Sequence, residues 1–351
     1  MNPTPHQQRG LTLVELMIAM TLGLIVIGAL IAVFVANNQT YRQNEALATL
    51  QDNARFALDV ITRDLAMAGY WGGVRAVDAA TSVRVSAVAK AAVSKTASEG
   101  DCGPSTQAAS FYWLFDVATP LEFRNHLDPA ALTTRFRCLQ PANVRPDSDV
   151  LMIRRISGQQ ALLDPPGGTL TANRFYVKTN QNIASLFRAS GSTFDRGTPA
   201  DCPDGSGTNA PCPPLDTPQQ VYAYTPQIYY VRNYLRTPGD GLPILCRRYL
   251  DDSASTAFMA EDCLAEGVEN LQLEWGIGTG AVQRYVNDPT PAQLLEARSV
   301  RLHLLVRATS TRVQASNDAK TFTLADYTSP SEAGVLRRAF TTTVQLKNLQ
   351  P

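Results

Sequence analysis

From Leu16 to Ala36 the chain runs for 21 residues without a formal charge, LMIAMTLGLIVIGALIAVFVA. A helix rises about 1.5 Å per residue, so this run spans about 31 Å, the hydrocarbon thickness of a bilayer. A secretory apolar region is shorter, about 7–15 residues, and ends at a small-x-small cleavage site. Phe34-Val35-Ala36 is a poor site of that kind, and no cysteine follows to take a lipid. The run reads as a retained transmembrane helix. Arg9 and the initiator amine precede it, so the positive-inside rule keeps the N-terminus cytoplasmic and exports the rest. Lys plus Arg equal Asp plus Glu at 31 each, which leaves no global basic field to hold nucleic acid.

One acid breaks the apolar pattern. Glu15 lies four residues after Leu11, and a carboxylate near a bilayer centre costs about 2.5–3.5 kcal/mol, less near an interface. It is either a boundary residue reaching the headgroups or a group awaiting a cationic partner in the membrane.

The segment RGLTLVELM, Arg9 to Met17, resembles the type IV prepilin signal: a short basic leader ending in Gly, then an apolar helix with Glu at its fifth position. The resemblance makes Gly10 the last leader residue, Leu11 the new N-terminus and Glu15 the fifth-position acid. The family usually begins its mature chain with Phe, and Leu11 is a mild departure. Cleavage after Gly10 by a prepilin peptidase and methylation of the Leu11 amine are what the likeness implies. The freed amine would then pair with Glu15 of a neighbouring subunit and set its axial register.

After Ala36, apolar residues recur at Leu47, Leu50, Ala54, Ala57, Leu58, Ile61, Leu65 and Ala68, an amphipathic helix. Arg55, Asp59 and Arg63 mark another face at i, i+4 spacing. Gly69, Gly72 and Gly73 end it. With no proline from Leu11 to Ala68, a single rod of about 87 Å is expected. Gly28, Ala32 and Ala36 fall four apart, a spacing that permits close helix approach. The expected organisation is a leader at 1–10, the membrane half of the helix at 11–36, its amphipathic half at 37–68 and a β-rich globular domain at 69–351. The fold class is α+β: a pilin-like long helix packed on an antiparallel domain.

Residues 74–98 are hard to place. Strand signals follow at Val150–Ile156, Arg174–Lys178, Gln227–Arg236 turning into Leu242–Tyr249, Val268–Trp275, Val300–Arg307 and Arg337–Leu346. The segments Gly267–Gly276, Val300–Arg307 and Leu336–Asn348 look like the PilW family of type IV pilus minor pilins. The likeness touches both ends of the chain and leaves about 74–220 uncovered. It implies a non-enzymatic subunit acting in pilus assembly or priming, and hence in twitching motility and adhesion. The implied partners are the prepilin peptidase, other minor and major pilins, the inner membrane and a tip adhesin. The subunit would sit in the inner membrane before assembly and on the pilus or cell surface afterwards. A minor pseudopilin of type II secretion shares the arrangement, and a membrane-tethered periplasmic enzyme or binding domain is a third reading.

The six cysteines, Cys102, Cys138, Cys202, Cys212, Cys246 and Cys263, form no C-x-x-C and lie on the exported side, where disulfides persist. Of 15 possible pairings, sequence neighbours are favoured: Cys102–Cys138, Cys202–Cys212 and Cys246–Cys263. No cofactor, metal or catalytic set emerges. His6, His126 and His303 have no ligand spacing, and His303 reads as a satisfied core residue. Gly276-Ile277-Gly278-Thr279-Gly280 reads as a hairpin turn and not a dinucleotide loop. Gly100–Ser105 places Cys102 where a serine nucleophile would stand, with no suitable His evident. Asp147 with Asp149, and Asp251 with Asp252, are acid pairs that could help hold calcium, though such pairs usually make solvated turns. Tyr222, Tyr224, Tyr229, Tyr230 and Tyr234 are explained mostly by a sheet core.

Overall fold

The computed structural model describes residues 12–93, 102–103, 112–128, 130, 132, 136–163, 169–189, 191, 220–253, 257–278, 280–309 and 319–349. Helix α1, Leu13–Ala66, is 54 residues long, about 81 Å. Three short helices follow: α2 (Ala79–Ser82), α3 (Ala87–Ala91) and α4 (Pro291–Leu295). The strands in chain order are β1 (Val83–Val85), β2 (Leu121–Arg124), β3 (Val150–Ile153), β4 (Ile156–Leu163), β5 (Phe175–Thr179), β6 (Ala184–Arg188), β7 (Gln220–Tyr224) and β8 (Gln227–Arg232). Then come β9 (Ile244–Asp251), β10 (Phe258–Glu266), β11 (Val268–Ile277), β12 (Arg284–Val286), β13 (Ala297–Arg307), β14 (Thr323–Leu324), β15 (Tyr327–Thr328) and β16 (Arg337–Gln345). The fold is pilin-like α+β.

The strands form a central sheet β10-β9-β8-β3-β2, a four-stranded sheet β12-β11-β13-β16, an outer sheet β1-β6-β5-β7-β4 and the small hairpin β14-β15. Pairing is antiparallel except for β1 with β6, which run parallel. The central strand β3 is buried on both faces, which is why it reads as an unbroken apolar run. Leu151, Ile153, Tyr229, Val231 and Leu245 face one core with Leu50, Ala54, Ala57, Ile61 and Leu65 of α1. Their alternates Val150, Met152, Ile228, Tyr230 and Cys246 face the opposite core with Val177, Leu186 and Tyr224 of the outer sheet. The layers are therefore α1, the central and four-stranded sheets, and the outer sheet. Each large apolar side chain buried from α1, such as Leu50, Ile61 or Leu65, contributes about 1.5–3 kcal/mol.

The helix stripe differs in detail from its sequence pattern. Ala46 is buried and Leu47 only half-buried, and a charged residue, Asp64, joins the buried face. The helix ends where the Met67 and Ala68 N–H groups turn back to the Asp64 and Leu65 carbonyls and Gly69 takes φ +71°. The run Val150–Ile156 is not one strand. It breaks at Arg154-Arg155, and Ile156 opens β4 in the outer sheet. Arg154 is fully buried, donating to the Thr119 and Trp113 carbonyls at 2.6 and 2.9 Å, so the chain turns where its cations find acceptors. The strand from Gln227 stops at Arg232, and the following turn is gathered by Asp240. That carboxylate accepts N–H groups from Arg236 and Leu242, and also Thr237 and Leu235, which hold it down at about pKa 2. Residues 76–91, hard to place from sequence, supply α2, β1 and α3.

Cys102 bridges Cys138, and Cys246 bridges Cys263 across the directly opposed pair of β9 and β10. Closing loops of 36 and 17 residues is worth about 3–4 kcal/mol each in the chain-entropy model. The pair Cys202 and Cys212 lies outside the described residues.

Candidate assembly site

Thr12 caps α1, and its extended backbone (φ −77°, ψ 151°) starts a capping box with Glu15. The Glu15 N–H donates to Thr12 Oγ1 at 3.3 Å. The Thr12 N–H and hydroxyl both donate to Glu15 Oε2, at 3.0 and 2.9 Å. In the single subunit the carboxylate is thus satisfied by the helix's own first turn. Gly10 and Leu11 lie outside the described residues.

Beyond Glu15 the helix stands clear of the domain. Leu16, Met17, Ile18, Leu24, Ile25, Leu30 and Phe34 are all at least half exposed, and no residue from Thr12 to Glu45 is buried. An apolar surface of this size is not left in water by a soluble domain. Gly28, Ala32 and Ala36 share this exposed half, and nothing lies within 4 Å of where a Gly28 side chain would stand. A neighbouring helix would meet no obstruction there.

The direction of the rod is fixed at its far end. Asp64 accepts Arg155 Nη2 at 2.5 Å and Nε at 3.1 Å, and the Tyr229 hydroxyl at 2.6 Å. Asp64 is 4% exposed. Burial, and then the Asp64 charge, push the Tyr229 phenol well above its ordinary range, so it donates at any physiological pH. Asn53 donates to the Glu266 carbonyl, and Asn348 donates to the Ala66 carbonyl at the helix end. Sequence reading passed over Asp64. Its signal was an acid three residues after Ile61, inside the apolar stripe. Asp64→Asn keeps the shape but leaves Arg155 without its counter-charge. A loss of about 1–3 kcal/mol is expected in denaturant unfolding, and an unchanged midpoint would contradict it.

The residues considered for chemistry serve structure. The Cys102 sulfur is in a disulfide. Cys246, Glu261 and Cys263 approach one another within 4.8 Å, but both sulfurs are bonded together, which removes the thiolates a metal would need. Asp149 is fully buried and accepts the His126 and Leu273 N–H groups at 3.0 and 2.7 Å, stapling the central sheet to β11. The Asp147 carbonyl accepts Asn270 and Gln272 side chains. Asp251 closes a turn with Ser253, and Asp252 accepts the Phe175 N–H. His303 is half-buried on the outer face of its sheet and hydrogen-bonds Thr341 and Glu274 at 2.9 and 3.0 Å. Ile277 pairs with Arg284, so Gly276, Gly278 and Gly280 belong to a β11–β12 hairpin. Tyr222, Tyr224, Tyr229 and Tyr230 are buried, and Tyr234 is partly so.

Residues 5–31 match the model of the prokaryotic N-terminal methylation motif. Residues 228–348, from β8 through β16, match that of type IV pilus-assembly protein W. The chain is thus similar to PilW proteins over its C-terminal third and to prepilin-type signals at its N-terminus. The PilW match covers the four-stranded sheet and β8–β10 and omits the outer sheet. The pilin-like protein PilA3 of Thermus thermophilus is 38% identical over 66 residues, 18% of this chain and 28% of that relative. The chain thus aligns with little more than a quarter of that relative's length. No solved structure matches. The signal-like segment and apolar helix together support membrane anchoring.

Proposed function

We propose that this chain is a minor pilin: a non-enzymatic structural subunit of a type IV pilus that takes part in assembly or priming, and through it in twitching motility and adhesion. The observation carrying this reading is the joining, in one chain, of a methylation motif, an apolar rod that stands clear of its domain, and a C-terminal third similar to PilW proteins. Residues 1–10 are the leader, 11–36 the part held in the inner membrane and then in the filament core, 37–68 the part docked on the domain, and 69–351 the exported domain. The prepilin peptidase cuts between Gly10 and Leu11, and the Leu11 amine is methylated.

The first-turn geometry supports a role for Glu15 in assembly. Its carboxylate is held at the helix start by groups that a neighbour's ammonium can replace. Pairing across subunits neutralises a charge in an apolar environment and fixes the axial step between subunits, the best-attested use of a buried ion pair. Gly28, Ala32 and Ala36 let a neighbouring helix approach.

Mass spectrometry of the purified chain is expected to find methylated Leu11 at its N-terminus, and a chain retaining residues 1–10 would overturn the reading. Glu15→Ala is expected to be cleaved and inserted normally but to fall several-fold in sheared pili. Normal incorporation would reject the role given to Glu15. Loss of protein secretion with intact pili on deletion would move the chain to a type II secretion system.

A further inference from the structure

The outermost strand of the four-stranded sheet, β16, is an open edge. The Leu346 N–H bonds the Arg298 carbonyl and the Ala308 N–H bonds the Leu336 carbonyl, in a register that pairs Val344 with Val300 and Thr342 with Leu302. In an antiparallel ladder the bonded pairs alternate, so the even-numbered residues of β16 bond β13. The N–H and C=O groups of Ala339, Thr341, Thr343 and Gln345 therefore point away from the sheet. These four residues are exposed.

Edges of this kind are normally blunted by shortness, charge or bulges. The other edges here follow that rule. β1, β2 and β12 have only three or four residues. β4 is interrupted by two register shifts. β10 carries Glu261, Asp262 and Glu266 and a register shift at Cys263/Ala265. β16 has nine residues in unbroken register, and Ala339–Gln345, AFTTTVQ, contains no charge and no proline. On its inner face Phe340 and Val344 are only partly buried against the core shared with α1, so cover is incomplete there.

Charge sets the occupant. Arg338 and Lys347 bracket the uncharged stretch; both are exposed and neither has an ion-pair partner among the described residues. A second copy would bring its own Arg338 and Lys347 and no acid anywhere from residue 333 to 351, so neither cation would be matched. Parallel pairing in register would set Arg338 beside Arg338. Like charges across a pair are destabilising. We propose that β16 accepts a strand from a different protein subunit: about seven uncharged, β-prone residues, apolar at the alternate positions that cover Phe340 and Val344, with Asp or Glu at both ends. The backbone supplies affinity, and the terminal cations select the partner. This inference rests on the sheet alone and not on the pilus reading.

The test uses the full chain in detergent micelles with the peptide Glu-Val-Thr-Val-Thr-Val-Thr-Val-Glu, and the same peptide with Lys at both ends. Amide hydrogen exchange is expected to slow at least tenfold at Ala339, Thr341, Thr343 and Gln345 with the Glu-ended peptide and not with the Lys-ended one. Thr343→Pro removes one outward N–H while leaving the β13 ladder whole, and edge strands tolerate such a proline. This variant is expected to keep its melting temperature and lose the protection. No slowing, equal slowing by both peptides, or slowing mapped to another edge would overturn the proposal. So would a dimer through β16 without peptide, which would make the occupant a second copy. If Thr343→Pro does not fold, the comparison of the two peptides on the native chain still decides.

Discussion

Arg337→Met is expected to lower the unfolding free energy by about 3–5 kcal/mol, the usual cost of removing one partner from a buried ion pair. Arg337 opens β16 and meets Glu269 of β11 side by side, Nε to Oε2 at 2.8 Å and Nη2 to Oε1 at 2.5 Å. Its third nitrogen donates to the Pro330 carbonyl at 2.9 Å, and both charged side chains are 2% exposed. Without Arg337, Glu269 keeps among the described residues only Arg145, 3.7 Å away and 30% exposed, as an ion-pair partner. Glu269 also stands at the register shift between Val268 and Asn270, where the β11–β13 ladder has no regular bond to absorb the loss. The double variant Arg337→Met with Glu269→Met is expected to regain most of the loss, because replacing both charges by apolar groups is often neutral or better. Denaturant midpoints at unchanged slope would show this. A single variant as stable as the native chain would mean that the pair contributes nothing.

Gly267→Ala is expected to cost about 2–5 kcal/mol, combining a left-handed backbone for a non-glycine residue with a steric collision. Gly267 joins β10 to β11 at φ +77°, the corner where the chain leaves the central sheet for the four-stranded one. A Cβ there would lie 2.2 Å from the Arg307 carbonyl oxygen. That backbone cannot retreat freely. The Arg307 N–H bonds the Gly267 carbonyl, and the Gly267 N–H bonds the Pro243 carbonyl, each at 2.8 Å. A thermal melt would fall by roughly 1–2 °C per kcal/mol for a chain of this size. A melt within one degree of native would show that the corner can yield.

What the amino-acid order disclosed follows from how long and how regular each signal is. Helix α1 was plain because a charge-free run and then a 3.6-residue stripe extend over some fifty positions without proline. The strands β8 and β16 were plain from β-branched and aromatic runs, and β11 and β13 from apolar residues at every second position, as in Leu271, Leu273, Trp275 and Val300, Leu302, Leu304. The β8–β9 hairpin was marked by its Pro-Gly-Asp-Gly turn. The outer sheet was largely hidden. β1 and β6 are only three and five residues long, and β7 is Gln-Val-Tyr-Ala-Tyr. Strands that short win their state from partners distant in the chain. The break inside Val150–Ile156 was hidden for the same reason, since Arg154 and Arg155 turn the chain toward acceptors 35 and 91 residues away. At the candidate site, Glu15 was legible as an acid in an apolar run. Its capping partner Thr12 needed only the three-residue spacing and was passed over. Asp64 became visible only once Arg155 and Tyr229 were brought to it.

The layering has a mechanical consequence. A pull on α1 along its axis enters the domain through Asp64, Asn53 and the end of the helix at Ala66, and these hand it to β4's leading Arg155, β8, β10 and the C-terminal turn. Tension is thereby shared between the two sheets that touch the rod, one of them cross-linked by Cys246–Cys263. Apart from β4, which Arg155 leads into, the outer sheet hangs on the opposite side of the central one, off this load path. It is the part of the molecule that can change shape or sequence without slackening the line.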